Sequence, residues 1–323
     1  MFRPESVWFL FAWAGFLFCR VLGLLCLGLL GMAPALKAES ILLQPVADTT
    51  LLESAPDNNM GAWTHVAVGT TGNQADRTKN RGLFRFAVAD ALPRGARVTN
   101  AVLTLKVTKV PGNTGGGIAV NSTFALHRVL RAWGEGDKLG DRGDFATDGE
   151  ASWNAPIHPA QLWSAPGAAA PTDFTAEASA ETPVAGKGNY RFGPTLNLLA
   201  DVQAWVNDPN ANFGWLLLSQ SEDRPKTARG LGSREDAPNA PNLLIEFDRP
   251  SPPRIDRFEA QGDEFRLSFV ARAGVAYFVE FRDSLGAGLW STLTNLPAQA
   301  AATDLLVIDK GTAPERFYRL GLR

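Results

Sequence analysis

The feature that most constrains the fold of this chain is a strict two-residue alternation of side chains along several segments. One segment places Leu83 and Arg85 on one side of an extended backbone, and Phe84 and Phe86 on the other. Residues 98–110 repeat this alternation over a longer run. Since successive side chains of a β-strand point to opposite faces of a sheet, both segments predict strands with one buried face.

Turn-forming residues separate the alternating runs. The 323 residues include 31 glycines and 21 prolines, and many of them fall between short apolar segments, as at 56–61, 93–95 and 111–117. This pattern is typical of β-structure with many turns. Apolar residues at helical spacing over 196–207, ended by an Asp-Pro pair, predict one short helix.

Residues 134–190 differ from the alternating segments. They are rich in Gly, Ala, Asp, Pro and Thr, and they predict a long surface loop insert with little regular structure. Loops of this length usually bind ligands or are disordered.

A proline-rich linker divides the chain. Residues 249–254 read Arg-Pro-Ser-Pro-Pro-Arg, a composition typical of a stiff connection. We therefore predict one large domain over 39–248 and a small β module over 255–323, where alternation returns at 265–269 and 277–281.

The N-terminal segment 1–38 predicts a secretory signal peptide, because a basic start and apolar runs precede small residues. Cleavage fits after Ala35 or after Ala38, and an uncleaved anchor is the alternative. Arg20 divides the apolar stretch, so neither part reaches the roughly 18 uncharged residues that a span needs. Both cysteines lie in this segment. We expect a secreted or cell-surface bacterial protein without disulfides and with no membrane contact after signal cleavage.

The charge balance argues against nucleic-acid partners. The chain carries a formal net charge of −2, so no general attraction to a polyanion or an anionic membrane follows. The sequence leaves the oligomeric state open.

Five segments occur in a fixed order within residues 41–247. They are 47–49 with 59–61, 82–86, 101–105, 133–135 with 152–154, and 233–235 with 241–243. In this order they resemble the DNRLRE domain family, which is similar to carbohydrate-binding module family 96. The resemblance implies a jelly-roll β-sandwich found in secreted bacterial and archaeal proteins, some of which bind acidic polysaccharides such as alginate. The chain departs from the family pattern by its longer insert and by the glycine before Ser233.

The small module carries a second resemblance. The residues concerned are 277–280, 283–285, Trp290 and 316–320. They resemble a fibronectin-III-like C-terminal module of secreted proteins from Verrucomicrobia-like bacteria. The predicted fold class is therefore all-β, with a jelly-roll sandwich followed by a smaller sandwich.

Catalytic motifs are not evident in the sequence. The three histidines are far apart, and no nucleophile elbow, phosphate loop or zinc motif occurs. Glu135 and Glu235 are nominal members of a carboxylate pair such as glycosidases use, with structural pairing to arginines as the alternative. We expect a protein that is not an enzyme, and we keep a polysaccharide lyase or hydrolase as a less favoured interpretation.

Three tryptophans and three arginines are candidate ligand-binding residues. Sugar rings stack on exposed indoles, and arginine binds carboxylates bidentately. Trp63, Trp153 and Trp163 lie in turn-rich stretches, and the alternative is that each anchors a loop. For an acidic sugar, Arg85, Arg128 and Arg131 would project from one concave sheet face. The alternative is that these arginines lie on a solvated outer face or form internal salt bridges, including one from Arg234 or Arg85 to Glu235.

A structural calcium ion is a further candidate, because jelly-roll binding modules often hold one between carboxylates and loop carbonyls. Asp48 with Asn59 is one possible site, and the aspartates within 137–148 are another. Solvated loop acids are the alternative interpretation.

These observations predict a secreted, non-catalytic protein that binds a polysaccharide, with an acidic one such as alginate as the favoured ligand. A structural or adhesive protein of the cell surface or matrix is the alternative.

Overall fold

The computed structural model describes residues 38–112, 118–250, 252–286, 288–311 and 315–322. These residues form two compact units, 38–249 and 250–322. The predicted signal peptide lies outside the described residues apart from Ala38. Within the described part of the chain, no helix has the length and hydropathy to cross a membrane.

The first unit contains thirteen strands and two α-helices. The strands are β1 Glu39–Leu43, β2 Ala47–Leu52, β3 Asn58–Asn59, β4 His65–Thr71, β5 Thr78–Arg85, β6 Arg97–Lys109, β7 Ser122–Arg128, β8 Asp144–Phe145, β9 Ala180–Val184, β10 Gly188–Phe192, β11 Trp215–Ser219, β12 Arg229–Gly232 and β13 Asn242–Asp248. The helices are α1 Val88–Ala91 and α2 Leu196–Asn207.

The strands form an antiparallel β-sandwich, which confirms the predicted fold class. One layer has the order β1-β13-β6-β12-β4, with β10 also paired to β6. The other has the order β4-β5-β11-β7-β9, with β2 also paired to β5. Strand β4 belongs to both layers: it pairs with β12 up to Val68 and with β5 from Gly69 onward. Gly69 has φ of +101°, and a Cβ there would lie 2.8 Å from the Thr227 carbonyl oxygen. Glycine therefore permits the strand to change sheets.

The main core lies between the two layers. Phe84 and Phe86 of β5 are fully buried there, on the face that the alternation predicted. Helix α2 has the predicted bounds. Its first turn is capped by Thr195, whose hydroxyl accepts a hydrogen bond from the Leu198 backbone N–H at 3.1 Å. Trp205 of this helix packs edge-on against Trp215 of β11, with ring centroids 4.4 Å apart.

The predicted loop insert 134–190 contains more regular structure than the sequence indicated. It includes β8, β9 and the beginning of β10. The stretch between β8 and β9 has no helix or further strand, but it is packed and not open, because its aromatic side chains form a second apolar cluster with one outer face of the sandwich. Long-range burial, rather than local pattern, orders this stretch.

The second unit is a smaller β-sandwich. One three-stranded sheet contains β14 Arg257–Gln261, β15 Glu264–Ala271 and β18 Thr303–Lys310. The other contains β16 Tyr277–Arg282, β17 Ser291–Leu296 and β19 Phe317–Leu322. Leu267, Tyr277 and Val307 are among the buried side chains between the two sheets.

Candidate functional site

The insert covers one outer sheet face of the sandwich. Leu83 and Leu216 on that face are buried beneath it. Trp153 and Trp163 are each only 5% exposed. The Trp163 indole N–H donates to the Ser152 carbonyl at 3.0 Å. The expectation that these two tryptophans are exposed sugar platforms is therefore wrong: both anchor the insert.

The three predicted arginines do not form one site. Trp215 pairs with both Phe84 and Arg128 across neighbouring strands, so Arg128 shares the inward face of Phe84, whereas Arg85 faces the other way. Arg128 Nε lies 3.5 Å from Asp201 Oδ1. The prediction that these side chains project together from one face is wrong, because register places them on opposite faces.

The third arginine, Arg131, forms an internal ion pair. Its Nη1 donates to Asp173 Oδ1 at 3.1 Å and to the Leu162 carbonyl at 3.0 Å. Arg85 lies over the ring of Trp133, 5.2 Å from its centroid. Burial lowers the pKa of Arg85, although the charge of Glu135 opposes this. Arg131 therefore forms an internal salt bridge, which is the alternative that the sequence left open, whereas Arg85 contacts an aromatic ring.

Three carboxylates meet around Arg234. The Asp48 backbone N–H donates to Glu135 Oε1 at 2.9 Å, and the Arg234 backbone N–H donates to Asp48 Oδ2 at 2.8 Å. Arg234 Nε lies 2.5 Å from Glu135 Oε1 and 3.0 Å from Glu235 Oε1. The nominal catalytic pair is thus brought together, with the guanidinium of Arg234 bound to both members.

This carboxylate cluster favours the neutral form of its buried members. Burial raises the pKa of Asp48 well above its usual range, and the charges of Glu235 and Glu135 add to this against the hydrogen bond from Arg234. Burial likewise raises the pKa of Glu135, opposed by its bonds to Asp48 and Arg234. One oxygen of Glu235 is buried without a hydrogen-bond partner among the described residues. Asp48 and Glu135 therefore bind a proton more readily than exposed carboxylates do.

Asn59 fastens the insert to the body of the sandwich. Its side-chain amide N–H groups donate to the carbonyls of Glu135 and Ala151 at 2.6 and 2.9 Å, and its Oδ1 accepts from the Gly61 N–H at 2.8 Å. No group of three or more His, Cys, Asp or Glu side chains within the described ranges is arranged to hold a metal ion. Arg234 supplies positive charge among the carboxylates. Calcium at Asp48 and Asn59 stays a prediction.

We expect Asp48→Asn to stabilise the protein at neutral pH by about 1–2 kcal/mol. A carboxyl whose pKa is raised by folding stabilises the folded state below its unfolded pKa of about 4, and this contribution is lost as pH rises through the folded value. The amide oxygen still accepts the Arg234 N–H, without a buried charge. Urea unfolding at pH 4 and pH 7 measures the difference, which should vanish at the lower pH.

The exposed Asp148→Asn is the matched control, with the same change of charge and no expected effect. Lower stability of Asp48→Asn at pH 7, together with a loss of wild-type stability on chelation, would contradict this account and favour calcium.

An open cavity lies on the layer of the sandwich that contains β6, β12 and β4. Its volume is about 450 Å³, and its lining includes His65 and Ala67 of β4, Lys109 of β6 and Gly230 of β12. A Cβ on Gly230 would lie 3.0 Å from the Lys109 Cβ and 3.4 Å from His65 Cδ2. The glycine therefore allows the side chains of Lys109 and His65 to pack close to the backbone of β12. The end of β4 adds the hydroxyl of Thr71, and the loop after it adds Asn73 and Asp76.

Three cationic residues lie at this cavity, together with the carboxylate of Asp76. Lys109 and Lys226 line it. Strand alternation turns the Arg229 side chain inward beneath the cavity floor, where it is 1% exposed. Its guanidinium donates to the carbonyls of Ala185, Thr227, Ala228 and Val120. Within the described residues no carboxylate accepts a hydrogen bond from it, so this buried charge is not locally neutralised.

His65 is a neutral hydrogen-bond acceptor at the cavity edge. The Trp63 indole N–H, which can only donate, lies 3.1 Å from His65 Nε2, so the ring proton belongs on Nδ1. Burial lowers the pKa of His65, the charge of Lys109 adds to this, and Asp141 opposes it. Trp63 is half-buried and packs against the His65 ring, with centroids 5.5 Å apart. Of the predicted tryptophans, Trp63 alone keeps a partly open face.

Sequence reasoning missed the cavity because its residues are distant along the chain. Lys109 and Gly230 become neighbours only when β6 and β12 pair. Two glycines within β12, at positions 230 and 232, were the available signal, since glycine inside a strand often marks a close approach.

Comparison with known proteins does not assign the chain to a family. No protein-family model matches the chain, and no curated protein shows significant similarity to it. The resemblance to the DNRLRE domain family stays a prediction.

Proposed function

We propose that this chain is a secreted, non-catalytic carbohydrate-binding protein that takes an acidic polysaccharide such as alginate. The observation that carries the proposal is the cavity of about 450 Å³ at His65, Lys109 and Lys226. Its lining combines cations with hydroxyl, amide and carboxylate groups, as recognition of a charged sugar requires.

The charges support an anionic ligand. Lys109 can donate charge-assisted hydrogen bonds to a uronate carboxylate. The buried charge of Arg229, held by carbonyls beneath the floor, favours negative charge above it. Asp141 Oδ1 lies 3.7 Å from Lys109 Nζ, and its side chain is 75% exposed. A ligand carboxylate would therefore compete with an exposed and weakly held carboxylate of the chain itself.

The half-buried Trp63 supports a sugar rather than a simple anion. It lies against His65, which lines the cavity, and an indole face beside fixed polar groups is suited to the C–H-rich face of a pyranose ring. A chain longer than one sugar would extend beyond the cavity along the sheet surface.

Affinity electrophoresis in alginate, pectin and neutral β-glucan gels tests the proposal. We expect retardation in alginate that weakens as salt is added. Lys109→Met should weaken binding by about tenfold, because one charge-assisted hydrogen bond is lost. Asp141→Asn should strengthen binding, because it removes the competing carboxylate.

Lys106→Met is the matched control, on the same strand but not in the cavity lining. Unchanged migration in every gel would overturn the carbohydrate proposal. Retardation that Lys106→Met and Lys109→Met weaken equally would overturn the assignment of the site.

A structural or adhesive role at the cell surface is the second candidate. The observation that favours it lies in the small unit, where Leu306 and Ile308 of β18 are 56% and 47% exposed. Apolar side chains on an exposed strand are typical of an association surface.

A further inference from the structure

Strand β18 is an edge of its sheet. It pairs with β15 along all eight of its residues, from Thr303 to Lys310, without a change of register. No other described strand pairs with β18. An edge strand leaves N–H and C=O groups available for pairing with another chain.

The outward side chains of β18 are unusual for an unprotected edge. Leu306 and Ile308 point away from the core and are about half exposed, as is their neighbour Val270 on β15. Neither a proline nor a bulge interrupts the strand, although both are common protections of edges. The inward charge of Asp309 is neutralised locally, by Arg316 Nη1 at 2.9 Å and the Tyr318 hydroxyl at 2.8 Å.

The outward sequence of β18 complements itself in an antiparallel arrangement. If two copies pair about Val307, Leu306 of one copy lies opposite Ile308 of the other. The same register places Asp304 opposite Lys310 at both ends. Both side chains are exposed, and neither forms an ion pair with another residue that the structure describes. Opposite charges and paired apolar side chains across strands both stabilise a sheet.

The other edge of the same sheet lacks this complementarity. Antiparallel self-pairing of β14 about its middle residue would place Glu259 opposite Glu259, and like charges directly opposite each other are destabilising. The sequence of β18 therefore distinguishes one edge from the other.

We propose that this chain forms a two-fold symmetric homodimer by antiparallel pairing of β18 with β18 of a second copy. The pairing joins two three-stranded sheets into one of six strands, and the contact is isologous. Strand β18 contains none of the residues that line the cavity. A test of the dimer therefore does not test carbohydrate binding.

Sedimentation velocity over a concentration series tests the dimer with the purified full chain. We expect wild-type protein to show a concentration-dependent dimer. Asp304→Lys and Lys310→Asp should each weaken association by about tenfold, because each places like charges opposite each other at both ends. The double variant Asp304→Lys/Lys310→Asp restores opposite charges and should restore the dimer.

Glu259→Lys on β14 is the control, and it should leave association unchanged. A wild-type chain that stays monomeric at every concentration would overturn the proposal. A dimer that both single variants leave intact would do so too, as would a double variant no better than the single ones. Rescue by the double variant also excludes misfolding as the cause of the single-variant effects.

Discussion

Replacement of Arg229 by methionine should lower the free energy of unfolding of the large unit by about 3–5 kcal/mol. The side chain is 1% exposed, and its guanidinium donates to backbone carbonyls in three separate segments of the chain. Methionine fills similar space but donates nothing, so these buried carbonyls lose their partners. Urea unfolding followed by tryptophan fluorescence measures the loss, since Trp290 is the single tryptophan of the small unit.

Arg229→Lys separates hydrogen bonding from packing. Lysine keeps the charge but has three donors in place of five. The free energy of unfolding of Arg229→Lys should therefore fall between those of wild type and Arg229→Met. A methionine variant as stable as wild type would show that the Arg229 hydrogen bonds do not hold these segments together.

Asp173→Ala should lower stability by about 3 kcal/mol or more. This carboxylate is fully buried and accepts hydrogen bonds from the Ser164 N–H, the Ser164 hydroxyl and the Ala169 N–H, as well as from Arg131. Burial alone would raise the pKa of Asp173, but these donors outweigh it and lower the pKa. Alanine leaves the donors and the Arg131 charge without their acceptor.

The stability lost in Asp173→Ala should appear first as partial unfolding of the insert. Trp153 and Trp163 are buried beneath the segment that Asp173 holds, so their fluorescence should shift to longer wavelength in the variant before global unfolding. Glu177→Ala, an exposed change in the same segment, is the control. The wild-type contribution of Asp173 should itself disappear as pH falls through its lowered pKa, because protonation removes the same charge. A variant that keeps both wild-type stability and wild-type emission would contradict this role.

The parts of the fold that sequence predicted are those set by local periodicity. The alternation around Phe84 assigned both faces of β5, and the spacing of Leu198, Val202 and Trp205 with the Asp-Pro stop defined α2. Each of these signals lies within a few residues, and tertiary packing reinforces it.

The insert and the site depend on contacts between distant residues. A turn-rich composition around Trp153 and Trp163 was compatible with exposure, and only the apolar outer face of Leu83 and Leu216 explains their burial. Local sequence does not distinguish Arg128 from Arg85, because the register that places them on opposite faces is fixed by a third strand, β11. Local pattern carries neither kind of information.

The cavity accounts for the proposed function with residues that belong to three strands. His65 accepts from Trp63, Lys109 provides a charge at the same edge, and Arg229 adds a charge beneath the floor. Because burial lowers the pKa of His65, this edge should keep one arrangement at neutral pH, with the imidazole neutral. Protonation in acid would break the Trp63 hydrogen bond, since Nε2 would then be a donor.

The most direct measurement is an NMR titration of the labelled chain with alginate oligosaccharides. We predict that backbone amide shifts concentrate on β4, β12 and the end of β6, and that the Trp63 indole N–H and Lys109 signals change with them. Shifts that concentrate instead around Arg85 and the insert, or that do not occur at saturating oligosaccharide, would contradict it.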